Sequence, residues 1–409
     1  MRVLHLLSQR PSRTGSGVTL DALVRHAAAA GWDQRVMVGV PIDDAGVDVG
    51  NLPRERIETV TFGGGDLEFP VPGMSDVMPY PSTVFSSMTP AMLDLYRSVW
   101  RERLAHAVAE FRPDVIHAHH VWVLSALARD VAPRTPIVVH CHATGLRQME
   151  LCPHLADEVR RGVARADRFV VLHRGHADAL ARALAVPRDR ITVVGAGYRD
   201  DLFHARDRAA PDAQRLADVG KYSASKGLPQ LLDALERVAV QVPDVTLHVA
   251  GTGSGEEAER LAARMRTMAP RVVMHGAVPQ GDLAALLRTC RVCVLPSYYE
   301  GVPLVLVEAL ACRCRLVATA LPGVVEALSP HLGDLLDLVE PPSMTGVDVP
   351  EDSAIPAFVE RLADALVVAL RRPPLGDPAV ERPEVLAPFT WGAVFERVES
   401  VWKAAIADA

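Results

Sequence analysis

Two glutamates, Glu300 and Glu308, are separated by seven residues in the segment PSYYEGVPLVLVEALAC, Pro296 to Cys312. An ionised carboxylate accepts hydrogen bonds from a pair of hydroxyls, which suits a ribose diol or the hydroxyls of a sugar. The spacing predicts a turn at Glu300 and a helix around Glu308. The neighbours Leu306, Val307, Ala309 and Leu310 are apolar, and a carboxylate among such residues is costly to bury unless it is partnered. Taken singly, either glutamate reads better as part of an exposed helix face. Upstream, Lys221-Tyr-Ser-Ala-Ser-Lys226-Gly227 carries two lysines that could hold a diphosphate between them. The G-x-x-x-x-G-K-[ST] pattern of P-loop NTPases is absent, and by itself this pair reads better as surface lysines. Near the N-terminus, Thr14-Gly15-Ser16-Gly17 leads into a helical pattern at Val18. Glycines let a backbone approach a ligand, and a helix start offers free N–H groups. The spacing is not G-x-G-x-x-G, so an ordinary strand-to-helix turn fits equally well.

Histidines gather at His117, His119, His120, His140 and His142. Alternation along a strand puts His117 with His119, and His140 with His142, on common faces. Zinc needs three or four converging ligands; sugar or acceptor recognition and plain strand-end hydrogen bonding both read better, so no metal ligand is assigned. Cys290-x2-Cys293 and Cys312-x-Cys314 superficially resemble a zinc ribbon. Cys293 falls within an apolar strand and Cys312 at a helix end, so buried thiols are expected.

These residues need a frame. Short β-branched runs at Val3–Leu7, Arg35–Val40, Ile57–Phe62, Asp114–His119, Ile137–Cys141, Arg168–Leu172 and Ile191–Val194 alternate with helical stretches such as Val18–Ala30, Met92–Glu110 and His176–Leu184. A polar stretch follows. A second series then runs through Arg215–Gly220, Val245–Ala250, Arg271–His275, Arg291–Leu295, Leu316–Thr319 and Asp334–Leu338, with helices including Leu228–Val242, Gly255–Met268, Leu283–Thr289 and Leu304–Ala311. Strands apolar on both faces, alternating with helices, predict parallel sheets covered on both sides. The fold class is α/β, with two doubly wound domains of similar size joined once. Ligands of such sheets bind beyond the carboxyl ends of the strands, where the motifs above fall. Gly63 to Pro90 is a long connection that reads equally as an acceptor loop or a surface excursion. Trp391, Val394, Phe395, Val398 and Trp402 give a last helix an apolar stripe, most simply packed on the second domain.

The 409 residues are 49% hydrophobic and 23% charged, with a net charge of −7. That excludes a disordered or fibrous chain and argues against charge-driven binding to nucleic acid. No run of about 18 apolar residues suggests a membrane span, and Val3–Leu7 is too short for a signal-peptide core. Six cysteines are too few for a disulfide scaffold. A cytoplasmic protein is expected, acting on small molecules; peripheral membrane association is compatible and the oligomeric state is open.

EGVPLVLVE followed by ALACRC resembles the E-x7-E motif of retaining glycosyltransferases of the GT-B fold, glycosyltransferase family 4. The resemblance extends along the chain. VGKYSASKG is similar to that family's V-G-R-x-x-x-x-K-G segment, RPDVIHAHH to its strand-end histidine stretch, and HCHATG to its H-G-T-type strand end. It implies two Rossmann-like domains facing across a cleft: residues 1–195 for the acceptor, a linker at 196–214, residues 215–385 for the nucleotide sugar, and a helix in 386–409 packing back toward the first domain. It further implies that Glu308 holds the nucleotide ribose, Glu300 the donor-sugar hydroxyls, and Lys221 and Lys226 the diphosphate. His142 would lie beside the reacting sugar. The backbone at Gly15, Ser16 and Gly17 would approach the phosphates or acceptor, as would the N–H groups of Val302 and Leu304 beside Gly301. The base would rest at Gly276 to Val278. The implied catalytic group is His142, Glu300 and Lys226. The implied donor is a UDP- or GDP-sugar, with no obligatory metal and no tightly bound cofactor. Two departures stand out. Lys221 replaces an arginine, a point charge for a bidentate fork, and Ala196-Gly197-Tyr198-Arg199 replaces N-G-V-D. These motivate an alternative, a GT-B protein that binds nucleotide sugar without turning it over. A nicotinamide-dependent oxidoreductase is disfavoured by the missing dinucleotide fingerprint.

Overall fold

The computed structural model describes residues 1–409 apart from 12–13, 45, 76–77, 79, 143, 207–213 and 347. It divides into two compact units, Met1–Ala196 with Trp391–Ala409, and Gly197–Thr390.

The first unit is built on strands β1 (Arg2–Leu7), β2 (Asp33–Pro41), β3 (Ile57–Phe62), β6 (Val115–His119), β7 (Ile137–Cys141), β8 (Arg168–Val171) and β9 (Ile191–Val193). They form one parallel sheet in the order β3-β2-β1-β6-β7-β8-β9. Every residue of β6 and β7 is buried, as expected for strands covered on both faces. The order reverses direction next to β1, so the loops after β1 and β6 leave on opposite faces. That is the switch point at which ligands of doubly wound sheets bind.

The second unit repeats the plan with β10 (Arg215–Val219), β11 (Thr246–Ala250), β12 (Val272–Gly276), β13 (Val292–Leu295), β14 (Arg315–Thr319) and β15 (Leu336–Val339). Its parallel order is β12-β11-β10-β13-β14-β15, with the switch point between β10 and β13. Helix Leu228–Gln241 packs against Ile355–Arg371, a helix the sequence reading passed over.

The structure revises how the segments are connected. The domains are not joined once: the chain leaves the first unit after Ala196 and returns after Thr390. The polar stretch 196–214 is not a free linker over its first half, because Tyr198 and Phe203 are buried in the second unit's core. Tyr198 N–H donates to Phe389 O at 2.9 Å, and residues 207–213 of that stretch lie outside the described residues. The connection from Gly63 to Pro90 is not a bare surface excursion. It contains the two-residue parallel strands β4 (Pro72–Gly73) and β5 (Thr83–Val84), and it buries Leu67, Val71, Met74, Tyr80, Phe85 and Met88 in the core.

The last helix, Trp391–Ala407, lies on helix Gly15–Ala29 and on β6, β7 and β8 of the first unit. Its stripe of Trp391, Val394, Phe395, Val398 and Trp402 shares a cluster with Val3, Val115, Val138 and Val170. Trp32 Nε1 donates to Glu399 Oε1 at 3.0 Å and Arg397 Nε to Val194 O at 2.9 Å, fixing the helix at both rims. Packing on the second domain, the simplest sequence reading, is not what the stripe does.

The two loops at the second switch point touch through backbone. Tyr298 N–H donates to Ser225 O at 2.9 Å, and Gly227 has φ +68°, with the place of a Cβ only 2.0 Å from Pro296 O. No L-residue fits there without separating the loops. Gly227→Ala is therefore expected to lower stability by more than about 2 kcal/mol. Gly281→Ala, in a helix with open space around its Cβ position, should be neutral or stabilising by about 0.5–1 kcal/mol. Thermal denaturation of the two variants checks the contrast.

Candidate functional site

In the second unit the sequence motifs converge on the ends of β10 and β13. Lys226 sits in a single 3-10 turn, Ala224–Lys226, and Glu300 in the loop after β13. Lys226 Nζ donates to Glu300 Oε1 at 2.7 Å and to Tyr299 O at 3.3 Å. Ser297 Oγ donates to the same Glu300 oxygen at 2.7 Å. Both charged side chains are mostly shielded, at 28% and 17% exposure, so the pair is ordered beyond what an exposed ion pair achieves. The lysine and glutamate that the motifs assigned to different parts of a ligand are in direct contact. Lys221 is exposed and makes no ion pair among the described residues.

Helix Leu304–Ala311 begins after Pro303 with no side-chain cap. The N–H groups of Val302 and Leu304 have no hydrogen-bond acceptor among the described residues. Uncapped N–H groups at a helix start, reinforced by the helix dipole, form an anion site. Gly301 is held against the start of helix Pro322–Ala327: a Cβ on Gly323 would fall 1.6 Å from Gly301 O. Glu308 lies in the second half of the helix. It keeps some solvent contact as a residue, but burial of its carboxyl pushes the pKa up to about 7. Its side chain has no hydrogen bond or ion pair among the described residues. It is a desolvated carboxyl awaiting a donor. Gly276 ends β12 with φ +68° and accepts Gly251 N–H at 2.7 Å, with Val278 partly exposed just beyond.

In this unit sequence reasoning missed one residue at the strand ends. Asp218, the penultimate residue of β10, is 6% exposed. Desolvation first, then repulsion from Glu300, raise its pKa to about 7, against the pull of Lys226. The signal was an acid inside the apolar part of a strand run, Leu-Ala-Asp-Val.

In the first unit, Gly15, Ser16 and Gly17 form the first turn of helix Gly15–Ala29 rather than a loop before it. Thr14 is the N-cap. Its Oγ1 accepts Gly17 N–H at 3.2 Å, so that donor is already used, while Ser16 Oγ donates to Gln9 Oε1 at 3.4 Å and Gly15 is exposed. His117, His119, His140 and His142 share one face, joined by His5, which sequence reasoning left out. His119 Nδ1 and His142 Nε2 are 3.0 Å apart, and the rings of His140 and His142 stack at 4.2 Å. Burial holds His142 neutral, well below the usual imidazole range. Ala143 of the HCHATG segment lies outside the described residues. A hollow of about 470 Å³ is lined by Arg10, Asp43, Asp44, Gly63, Pro70 and Tyr80 among others, at the ends of β2 and β3 beside the packed connection. All six cysteines are buried free thiols. No helix among the described residues is long and apolar enough to cross a membrane.

Residues 14–197 match the family model of the glycosyl transferase 4-like domain, and residues 213–366 that of glycosyl transferases group 1. The chain is 29% identical over 260 residues to a D-inositol 3-phosphate glycosyltransferase of Segniliparus rotundus, spanning 58% of this chain and only 57% of that relative's length. It is 26% identical to the glycogen synthase of Mycobacterium tuberculosis, over 99% of this chain and 95% of that one. The solved structure of Anabaena Alr3699/HepE in complex with UDP-glucose superimposes with a TM-score of 0.63 at 17% identity, covering 99% of this chain and all of the other.

Asp218 makes the second unit's stability depend on pH. A carboxyl whose folded pKa is raised contributes fully below its unfolded pKa near 4 and loses that contribution as pH rises through about 7. Stability should therefore fall between pH 4 and 8. Asp218→Asn should flatten the slope, gaining up to about 4 kcal/mol at pH 8 and almost nothing at pH 4, read from thermal midpoints across that range.

Proposed function

Because the chain belongs to the group 1, family 4 glycosyltransferases and has their GT-B fold, we propose that it is a retaining enzyme. It moves a hexosyl group from a nucleotide-diphosphate sugar, UDP- or GDP-linked, to a small-molecule, lipid or glycan acceptor. The observation that carries this reading is the Lys226–Glu300 pair beside an uncapped helix start at the switch point of the second unit. A UDP-glucose complex in a structural relative supports the donor class.

Breaking the sugar–phosphate bond builds positive charge at the anomeric carbon and negative charge on the departing diphosphate. Lys226, Lys221 and the N–H groups of Val302 and Leu304 stabilise that diphosphate. Each charge-assisted hydrogen bond contributes about 1.5–3 kcal/mol, and more where the donors are fixed in advance. Lys226 is fixed in advance by Glu300 and the Tyr299 carbonyl. Glu300 accepts from donor-sugar hydroxyls with its remaining lone pairs and Glu308 from the ribose diol, while the base rests along Gly276–Val278. In the first unit, the hollow at Arg10, Asp44 and Tyr80 takes the acceptor. His142 serves the reacting sugar as a neutral positioning group, and the helix start at Gly15–Gly17 serves phosphate or acceptor. Retention follows a front-face course in which the leaving phosphate helps deprotonate the acceptor, so no double-displacement nucleophile is assigned. Catalysis is favoured over donor binding without turnover because the Lys226–Glu300 pair is complete despite the Lys221 substitution.

Glu300→Ala should cut donor hydrolysis and transfer by about 100–1000-fold, with a thermal-shift screen of nucleotide sugars first fixing the donor; equal rates would remove Glu300 from the reaction. Glu308 supplies a second measurement. Ribose hydroxyls favour its ionised form, so nucleotide binding near pH 6–7 should release a proton. Calorimetry in buffers of differing ionisation enthalpy reads that release, and Glu308→Gln should abolish it.

A further inference from the structure

We propose that His119, His140 and His142 form a binding site for a late first-row divalent transition metal ion of the zinc class. His119 ends β6, His140 lies beside it on β7 at the paired register position, and His142 follows β7 by one residue. The alternation of a strand sends all three side chains to one face. One ring nitrogen from each lies within 4.8 Å of the other two. The His119–His142 nitrogen separation, 3.0 Å, is close to the roughly 3.3–3.5 Å between ligand nitrogens that each sit about 2.0–2.1 Å from a tetrahedral zinc.

The site also has an unmet need. Nδ1 and Nε2 of His140 and Nε2 of His119 are buried with no hydrogen-bond partner among the described residues. Buried polar atoms are normally partnered, and a cluster of orphans calls for an occupant. Neutral imidazole is the ligating form, so binding would be strongest above the range in which these rings take up protons. Three imidazoles select zinc, cobalt, nickel or copper over magnesium and calcium, which prefer oxygen.

A neighbouring triad, His5, His117 and His119, meets the same distance test. It is completely buried, His5 Nε2 already meets Gln34 Oε1 at 3.2 Å, and Trp402 closes over His5 and His117. His142 is partly exposed, so the upper triad alone has an entry path and leaves a fourth coordination position for water or an anion. His120 supports the rim: it has φ +74° and its N–H donates to His140 O at 2.9 Å. A metal here would engage the ring of His142 that the proposed transfer uses, yet the site stands on its own geometry.

The test is direct binding to the full chain after chelator treatment, titrated with cobalt(II) and then displaced with zinc. One ion per chain is expected by metal analysis, with the visible d–d bands of a tetrahedral nitrogen site. His140→Phe should weaken binding by more than about 100-fold, beyond the loss seen on removing an outer-shell partner, whereas His117→Phe should leave it unchanged. Circular dichroism establishes that His140→Phe is folded; if it is not, His142→Ala at the exposed rim carries the same expectation. Lack of stoichiometric binding by the parent, or retention of binding in folded His140→Phe or His142→Ala, overturns the proposal. So does loss in His117→Phe alone, which would put the ion in the lower triad. Because the readout is metal binding, its failure leaves the sugar-transfer reading as it stands.

Discussion

A lysine and a glutamate 74 residues apart in the chain meet at 2.7 Å because two parallel strands, β10 and β13, are neighbours in the sheet. The chain continues outward from β10 to β11 on one side and from β13 to β14 on the other. The loops at their carboxyl ends therefore meet at the switch point, where ligands of doubly wound sheets bind. Gly227 lets the two loops approach to backbone contact distance, and Tyr298 N–H donating to Ser225 O holds them together. Everything proposed for the donor rests on this one juxtaposition. It fixes a cation beside a helix start whose own N–H groups are open.

The electrostatics around that pair are balanced at some expense. Burial raises the pKa of both Asp218 and Glu308 to about 7, and among the described residues neither side chain makes an ion pair. In a protein selected for stability alone such groups are poor choices. Under the proposed function, hydroxyl donors of a bound ligand would supply the missing hydrogen bonds. Perturbed carboxyls gathered at a strand-end crevice are a recurrent mark of function.

The first unit uses the same plan differently. Its sheet face carries valines at Val3, Val115 and Val138, covered by the last helix, and histidines toward the strand ends. An apolar layer gives way to stacked neutral imidazoles, which stay uncharged because the surrounding layer excludes water. The return of residues 391–407 to this unit makes that face complete.

Much of this was legible beforehand. Strands of β-branched residues alternating with helices fixed two parallel sheets, because backbone hydrogen bonding and two-sided burial leave few alternatives for such a pattern. Glu300, Lys221 and Lys226 could be placed beyond the ends of β13 and β10 from the sequence, and Glu308 in the helix that follows, since local geometry puts residues that follow a strand at its carboxyl end. Asp218 and His5 were passed over, because a single polar residue in a largely apolar run gains meaning only once its cross-strand neighbours are known. The Thr14 cap that consumes the Gly17 donor, the double crossing between units and the packing of 63–90 escaped for the same reason. Sequence periodicity specifies what each segment is and which face it buries. Which segments then become neighbours depends on long-range burial, and only that decided which charges touch, which are stranded and which imidazoles converge.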